Sequence, residues 1–249
     1  MKLYGLIGYP LAHSWSALYF NSKFEDMHLP DYQYRLFPIH SILATGKLLA
    51  EYPEISGLNI TIPYKVSILP FLDELSPEAR EIGAVNCIQV IRTPGDTRLI
   101  GYNTDVAGFV QSISPLLGKH HTKALVLGSG GASRAVVYAL GQLGISSILV
   151  TRKPGSANSM NYDDLTEHLI AENTIIINTT PLGMFPETDA APPIPYQFLG
   201  NRHLLFDLIY NPEETVFLRK GRIAGAKVQN GLEMLKMQAE ESWKIWNGD

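Results

Sequence analysis

The fold is decided by one stretch of sequence, Ala124-Leu125-Val126-Leu127-Gly128-Ser129-Gly130-Gly131-Ala132-Ser133. Its first four residues are apolar, which is typical of a strand buried in a parallel sheet, and apolar residues recur at helical spacing over 132–143. Between them, Gly128 permits a tight turn and Gly130 allows another group to approach the backbone closely. The start of the helix supplies amide hydrogens and a partial positive charge, which suit a pyrophosphate. A strand, a glycine turn and a helix in this order predict a dinucleotide-binding domain.

The choice of cofactor is indicated by the next predicted strand, which ends at Thr151-Arg152-Lys153. NAD-binding proteins carry an acidic residue about twenty positions beyond the glycine turn, where it binds the ribose hydroxyls. This chain has two adjacent cations there and no acid. Arginine can hold a 2′-phosphate through paired hydrogen bonds, so the pattern favours NADP over NAD. Two alternatives remain. The glycine turn binds nothing, since Ser133 stands at the third glycine position of the dinucleotide-binding pattern, or residues 151–153, the basic tip, form a solvated turn.

Strand and helix patterns alternate along nearly the whole chain, which indicates parallel sheets with helices on both faces. The predicted strands are 3–7, 32–37, 56–62, 87–91, 98–101, 124–127, 145–150, 174–178, 203–207 and 226–228. The clearest helices are 132–143 and 231–246. A domain boundary is expected near Thr104-Asp105, because a self-contained nucleotide-binding pattern begins soon afterwards. The apolar face of the last helix is expected to pack back on the first domain.

Composition excludes several classes of function. The chain has 249 residues, of which 45% are hydrophobic and 18% charged, so a large core is expected and disorder is not. A net charge of −4 without a run of Lys or Arg argues against a nucleic-acid or membrane partner. Cys87 is the only cysteine, which excludes an internal disulfide and a cysteine-rich zinc site. The N-terminal apolar run is too short for a signal peptide, so a cytoplasmic protein is expected.

Four clusters of polar residues each follow or end a predicted strand of the first domain. They are residues 8–16, 59–65, 83–86 and 101–105. In the second cluster, apolar residues alternate with Asn59 and Thr61 until Pro63 ends the strand, and Lys65 follows just beyond the tip. The clusters offer short polar groups that suit a polyhydroxylated ligand. The apolar pattern from Tyr64 to Leu72 predicts a short helix. Lys65 could therefore also be an ordinary surface lysine at the start of that helix.

Together with the glycine turn, these clusters closely resemble the shikimate dehydrogenase family. The resemblance runs nearly end to end and continues, in the family's order, through residues 178–184, 207–212 and 231–235, followed by Gln238. It implies an α/β enzyme with an N-terminal substrate domain of residues 1–104, completed by the C-terminal helix 232–249, and a Rossmann-type NADP-binding domain of residues 105–231. Such an enzyme reduces 3-dehydroshikimate to shikimate with NADPH, reversibly, on the route to chorismate and the aromatic amino acids.

The resemblance also implies the roles of individual residues. Lys65 and Asp105 are expected to be the catalytic pair, because hydride transfer to a carbonyl creates an alkoxide that needs a nearby cation or proton donor. The expected substrate ligands are Ser14 and Ser16 at the carboxylate with Tyr210 nearby, and Asn59, Thr61, Asn86 and Gln238 at the hydroxyls. The expected cofactor residues are Gly128, Gly130, Gly131, Ala132, Thr151, Arg152, Lys153 and Thr179, with Met184 and Gly231 beside the nicotinamide. No metal is expected, and His13 is interpreted as a positioning or core residue.

The chain departs from the family pattern at a few positions. Thr151 stands where the family commonly has Asn, and Lys153 where it commonly has Thr, so positive charge at this tip is kept or increased. Cys87 replaces a usual Thr and Val106 a usual Gly, and both are expected to reshape the pocket wall slightly. Ser16 favours shikimate, because relatives that use quinate often carry Thr there.

Three other functions fit parts of the pattern. An enzyme using quinate or another cyclohexane polyol, with either nicotinamide cofactor, would share most of these residues. A non-catalytic ligand sensor on the same fold would be expected to have lost Lys65 or Asp105, and both are present. A methylenetetrahydrofolate dehydrogenase would not need the serine pair and the run of amides. The expected partners are small molecules alone, and the expected assembly is a monomer or a homodimer.

Overall fold

The chain folds as two compact units in the computed structural model, which describes residues 1–11, 14–155 and 157–248. The first unit comprises Met1–Thr104 and the chain from Ala239 onward, and the second comprises Asp105–Gln238. The division falls inside the C-terminal helix, so the last turns of this helix belong to the first unit. The expected α/β architecture with a returning C-terminal helix is confirmed. His13 lies outside the described residues.

The first unit contains a sheet with helices packed against it. Its elements are β1 (Lys2–Gly8), α1 (Trp15–Asp26), β2 (Tyr32–Pro38), α2 (Thr45–Glu51), β3 (Ile55–Ile60), β4 (Glu74–Leu75), α3 (Pro77–Ile82), β5 (Cys87–Thr93) and β6 (Asp96–Tyr102). The strands lie in the order β2-β1-β3-β5-β6-β4. Strands β2, β1 and β3 are parallel, because the chain crosses over between them through α1 and α2.

The sheet of the first unit is mixed, so the expectation of a parallel sheet is wrong here. Strand β5 is antiparallel to both β3 and β6. Only Pro94 and Gly95 separate β5 from β6, which is far too short for the crossover that parallel strands need. Gly95 has φ +84°, a left-handed conformation that glycine adopts without strain. The short helix predicted after Tyr64 is also absent from this stretch, which instead ends in a 3-10 turn over Leu69–Phe71.

An aromatic cluster joins the C-terminal helix, α8 (Leu232–Asn247), to the sheet of the first unit. Tyr4 of β1 stacks on Trp246 with ring centres 4.7 Å apart. Nε1 of Trp246 also donates a hydrogen bond of 3.0 Å to the Ile88 carbonyl. The indole reaches this position only because Gly57 of β3 has no side chain, since a Cβ there would lie 2.3 Å from Nε1. Gly57 therefore fixes where the C-terminal helix docks on this unit.

The second unit has the all-parallel sheet that the sequence predicts. Its elements are α4 (Asp105–Ile113), β7 (Lys123–Leu127), α5 (Gly131–Gln142), β8 (Ser146–Val150), β9 (Ser159–Met160), α6 (Glu167–Glu172), β10 (Ile175–Asn178), β11 (Leu204–Asp207), α7 (Val216–Ile223), β12 (Lys227–Gln229) and the first turns of α8. The strands lie in the order β12-β11-β10-β7-β8-β9. Counted from β7, this is the order of a Rossmann sheet, and its switch point lies between β7 and β10.

Each predicted strand corresponds to an observed one, with ends that differ by up to two residues. The pattern missed β4 and β9, because a strand of two residues at a sheet edge shows no alternation of apolar and polar positions. Among the described residues, no helix has the length and apolar character needed to cross a membrane.

Candidate functional site

The polar clusters of the first unit meet at one edge of its sheet. Strands β1 and β3 run in parallel, with Ile7 beside Ile60, so the segments that follow them leave from the same edge. Strand β5 runs the other way, and its first residue, Cys87, pairs with Asn59 on one side and with Tyr102 at the end of β6 on the other. The mixed sheet thus places the start of β5 and the ends of β1, β3 and β6 together.

Backbone hydrogen bonds hold the first two clusters against each other. The amide of Thr61 donates to the Ile7 carbonyl at 2.9 Å, and the amide of Tyr9 donates to the Ile62 carbonyl at 3.1 Å. Gly8 permits this close approach, because a Cβ there would lie 2.5 Å from Cγ2 of Thr61. The segment after β1 therefore runs directly along the tip of β3.

The serine pair lies at the start of helix α1. Ser14 has an extended backbone and is the N-cap residue, yet its side chain makes no capping hydrogen bond within the described part of the chain. Ser16 lies in the first turn and is largely buried. The N-terminus of this helix carries partial positive charge and no acidic side chain in its first turn, so the serines stand where an anion is favoured.

Lys65 is held in place through its main chain. Its carbonyl accepts a hydrogen bond of 2.8 Å from the Val85 amide, which joins the second cluster to the third. The preceding residue, Tyr64, is buried and donates its hydroxyl to the Ile39 carbonyl at 2.7 Å. The Lys65 side chain is half-buried. Asp105 is the first residue of α4 and of the second unit, and it is buried.

A buried polar network fixes the two amides predicted to bind substrate. The Asn59 side chain accepts a hydrogen bond of 2.8 Å from the Tyr34 hydroxyl, and its Nδ2 donates to Oγ of Ser242 at 2.9 Å. That nitrogen also donates to the main-chain oxygen of Asn86 at 3.2 Å. Oδ1 of Asn86 accepts from the Thr104 amide at 2.6 Å, and its Nδ2 donates to Oγ1 of the same threonine at 2.9 Å. Both carboxamides therefore have defined orientations before any ligand binds.

The glycine turn of the second unit has the geometry that its sequence predicts. Gly128 has φ +110°, and a Cβ there would lie 2.8 Å from Oγ1 of Thr179, so only glycine fits. Gly130 is the N-cap residue of α5, and among the described residues no side chain caps this helix. Ser133, at the third position of the pattern, is buried and donates its hydroxyl to the Gly130 carbonyl at 2.6 Å. The serine therefore fits in place of glycine by bonding to the turn itself.

The basic tip lies beside the glycine turn. The amide of Thr151 donates to the Met160 carbonyl at 2.9 Å, and its hydroxyl donates to Oγ of Ser129 at 3.4 Å. Arg152 and Lys153 follow directly, and both are exposed. The structure thus anchors residue 151 to the turn and leaves two cationic side chains at the adjacent surface.

The loops after β10 and β11 lie at the switch point of the second sheet. The Thr179 hydroxyl donates to the Leu127 carbonyl at 2.6 Å, which brings it to the end of β7. The amide of Gly231 donates to the Ile209 carbonyl at 3.0 Å, and a Cβ on this glycine would lie 2.1 Å from the Leu208 oxygen. Met184 is 43% exposed, so its thioether side chain is open to a ligand.

Helix α4 packs closely on the first turns of α8 in the second unit. A Cβ on Gly108 would lie 2.7 Å from the Met234 carbonyl and 3.0 Å from Cβ of Gln238. Gln238 is buried and donates Nε2 to the Leu235 carbonyl at 2.9 Å. The glycine, one turn after Asp105, therefore brings the helix that carries this carboxylate close to the helix that carries Gln238.

Known proteins share this arrangement over the length of the chain. Residues 6–88 match the family described as the shikimate dehydrogenase substrate binding domain. The shikimate dehydrogenase (NADP(+)) of Clostridium beijerinckii is 39% identical, with 99% of this chain and 92% of the relative covered, and that of Desulforamulus reducens is 36% identical, with 98% and 89% covered. This chain belongs to the shikimate dehydrogenase family. The shikimate 5-dehydrogenase of Thermus thermophilus, solved with NADP(H) and shikimate, superposes with a TM-score of 0.86 at 32% identity, over 100% of this chain and 94% of that one. The resemblance drawn from the motifs is confirmed.

Cys87, one of the departures from the family pattern, begins β5 at the edge where the polar clusters meet, but its side chain packs into the core. The Cys87 side chain is fully buried in the aromatic cluster of the first unit. Burial raises the pKa of its thiol to about 12, against the opposing effect of hydrogen bonds with Ser242 and Trp246. The thiol is therefore protonated at neutral pH and acts as a small core group rather than as part of a ligand-binding wall.

The motifs did not reveal all the polar residues that shape this site. Tyr34 and Ser242 hold Asn59, and neither belongs to a motif. In the second unit, Asp207 accepts hydrogen bonds from Asn178 and Thr215 beneath the loops at the switch point. Asn178 and Asp207 begin two of the stretches that carry the resemblance, but the sequence assigned neither a role. Nothing in the sequence pattern indicates which distant residue each one meets.

Proposed function

We propose that this chain catalyses the reversible, NADPH-dependent reduction of 3-dehydroshikimate to shikimate. The observation that carries the proposal is similarity to NADP-dependent shikimate dehydrogenases over 98–99% of the chain, with Lys65 and Asp105 present in the motifs that carry the resemblance. The product lies on the route to chorismate and the aromatic amino acids. The glycine turn, the basic tip and the polar edge of the first unit all fit this reaction.

Lys65 and Asp105 form the catalytic pair in this proposal. Reduction of the ketone leaves negative charge on its oxygen, and the Lys65 ammonium stabilises that charge and donates the proton. The Asp105 carboxylate orients the lysine ammonium. In the oxidation of shikimate the same groups act in reverse, with the lysine accepting the hydroxyl proton.

Hydroxyls and amides bind the substrate. Ser14 and Ser16 hold its carboxylate at the start of α1, supported by the partial charge of the helix, and Tyr210 lies near the same group. The ligands assigned to the ring hydroxyls are Asn59, Thr61, Asn86 and Gln238. The fixed amide orientations support this role, because a polar group that is already oriented loses less entropy on binding.

The second unit binds NADP, whose reduced form, NADPH, would supply the hydride for the reduction of the ketone. Gly128, Gly130, Gly131 and Ala132 form the turn and helix start that receive the pyrophosphate. The tight turn at Gly128 and the open space around Gly130 support this assignment. The residues assigned to the adenosine 2′-phosphate are Thr151, Arg152 and Lys153. Thr179 is assigned to the cofactor, and Met184 and Gly231 are assigned to the nicotinamide side.

We assign the substrate domain to residues 1–104 with helix 232–249, and the cofactor domain to residues 105–231. The family match over residues 6–88 supports the first assignment. The partners are the small-molecule substrate and the cofactor, without nucleic acid or membrane. We further propose that the protein is cytoplasmic and acts as a monomer or homodimer.

The test is a direct assay of the purified chain. Shikimate with NADP should produce reduced nicotinamide, measured by its absorbance, and shikimate with NAD or quinate with NADP should react far more slowly. Lys65→Ala should reduce kcat by about a hundred- to ten-thousandfold, the range for a positioned acid or base, with a smaller change in KM. Faster turnover of quinate would instead indicate a quinate dehydrogenase. Binding of shikimate without turnover would indicate a sensor.

A further inference from the structure

A buried triad of Asn178, Asp207 and Thr215 lies beneath the loops at the switch point of the second sheet. Nδ2 of Asn178 donates to Oδ1 of Asp207 at 3.0 Å, and the Thr215 hydroxyl donates to Oδ2 at 2.6 Å. These side chains come from the ends of β10 and β11 and from the start of α7. All three are at most 1% exposed, so the triad is inaccessible to solvent.

Each member of the triad also holds a piece of backbone. Oδ1 of Asn178 accepts hydrogen bonds from the amide and the hydroxyl of Thr180, at 3.0 and 2.7 Å. Oδ1 of Asp207 accepts from the Ile209 amide at 3.0 Å. Oγ1 of Thr215 accepts from the Leu218 amide at 3.3 Å and so caps α7. One carboxylate therefore links the first residues of two loops and the start of a helix.

These loops carry the residues assigned to the nicotinamide side. Ile209, bonded to Asp207, accepts the hydrogen bond from the Gly231 amide. Gly183, the residue before Met184, passes so close to the triad that a Cβ there would lie 3.4 Å from Cβ of Thr215. The Phe185 amide donates to the Asn211 carbonyl at 3.2 Å, which joins the two loops above the triad.

The chemistry of the triad requires an acceptor at its centre. An amide nitrogen, a backbone amide and a hydroxyl all point hydrogen atoms at Asp207, and a carboxylate accepts all three without needing to donate. We propose that Asp207 is a positioning residue of the reaction, which sets the places of Met184 and Gly231 against the nicotinamide through the two loops. This role rests on the proposed function, and it differs from the roles assigned to residues that touch substrate or cofactor.

The test compares Asp207→Asn with the wild type in the shikimate and NADP assay. Asparagine keeps the shape but turns a donor toward the Thr215 hydroxyl, so kcat should fall by about ten- to a hundredfold, as for a lost charge-assisted hydrogen bond. The KM for shikimate should stay unchanged. Adenosine 2′,5′-bisphosphate, which lacks the nicotinamide, should bind as tightly as to the wild type, whereas NADPH should bind more weakly.

Thr215 supplies a matched pair of control variants. Thr215→Ser keeps the hydroxyl and should retain wild-type kcat, while Thr215→Val keeps the shape without the donor and should show the loss seen with Asp207→Asn. This pair decides the question if the Asp207 variant does not fold. Wild-type kcat in both Asp207→Asn and Thr215→Val would overturn the proposal. The proposal would also be overturned if the variants lost thermal stability and bisphosphate affinity along with kcat, because the triad would then have only a structural role. A wild-type chain inactive on shikimate would refute the proposed function, and the comparison of NADPH with the bisphosphate would still decide the role of the triad.

Discussion

Replacing Gly57 with alanine should destabilise the first unit by about 1–6 kcal/mol. The added Cβ would lie 2.3 Å from Nε1 of Trp246 and 2.4 Å from its Cδ1, whereas carbon atoms pack at about 3.5–4.0 Å. The indole must therefore move by about 1 Å or more, and its hydrogen bond to the Ile88 carbonyl breaks.

Two costs and one gain set the size of this effect. Forcing a methyl group into a packed core costs about 1–3 kcal/mol. Leaving the buried indole N–H and the Ile88 carbonyl unpaired costs about 1–3 kcal/mol more. Alanine has fewer backbone conformations than glycine in the unfolded chain, and this smaller loss of entropy on folding offsets about 0.4–1 kcal/mol. Because Gly57 lies two residues before Asn59 in β3, the KM for shikimate should rise as well.

Urea unfolding, followed by tryptophan fluorescence, measures the change in the free energy of unfolding of the first unit. All 3 tryptophans, Trp15, Trp243 and Trp246, lie in the first unit, so their signal reports its unfolding alone. The control is Gly57→Ala in a Trp246→Ala background, where the methyl group has space and should cost less than about 0.5 kcal/mol. An equal cost in both backgrounds, or an unchanged midpoint in the single variant, would refute the reasoning.

The other predictions concern the substrate, the cofactor and pH. Replacing Ser14 and Ser16 together with alanine should raise the KM for shikimate by about ten- to a hundredfold per lost hydrogen bond, with NADPH affinity unchanged. Equal weakening of both ligands in titrations would contradict the assignment. Replacing Arg152 and Lys153 with serine should weaken NADPH by about tenfold and NADH hardly at all, and added salt should shrink the difference in their Kd values. Burial raises the pKa of Asp207 to about 6, from about 3.9 in the unfolded chain. The folded protein therefore binds this proton more tightly than the unfolded chain does. The resulting stabilisation is complete below about pH 4 and is lost as the pH rises through about 6. Wild-type stability should fall relative to Asp207→Asn by about 3 kcal/mol over that window in urea unfolding followed by circular dichroism, and a constant difference would exclude this titration.

The second unit could be predicted because its decisive signals are local. The apolar strand 124–127, the turn at Gly128 and the helix that follows are neighbours in sequence, and their geometry needs few distant contacts. Even the departure at Ser133 is accommodated locally, by a hydrogen bond to the turn. A Rossmann sheet repeats the same crossover, so one such unit largely implies its neighbours.

The first sheet was harder to predict because apolar periodicity gives no strand direction. The pattern located β5 and β6 without showing that they form a hairpin. Pro94 and Gly95 were the available evidence, since two residues that favour a turn between two strands indicate an antiparallel pair. The missing helix after Tyr64 has a similar local cause, because Pro70 has no N–H to donate to an α-helix.

The buried polar networks could not be predicted from the sequence at all. Asn59 meets Ser242, and Asp207 meets Thr215 and Asn178, through contacts that only the folded chain creates. Such polar groups are buried only if they are paired, and the pairing depends on the packing of strands, loops and helices that are separate in sequence. The motifs therefore name the residues at the surface of the site better than those that support it.

The division of the chain at Gln238 and Ala239 has a consequence for synthesis on the ribosome. The second unit is continuous in sequence, so all of it has been translated before the last turns of α8 emerge. The first unit is not continuous in sequence, because its aromatic cluster includes Trp243 and Trp246 from the end of α8. The strands of the first unit are therefore translated before the second unit but complete their core after it. Until then Tyr4 and Phe20 lack the indoles that cover them.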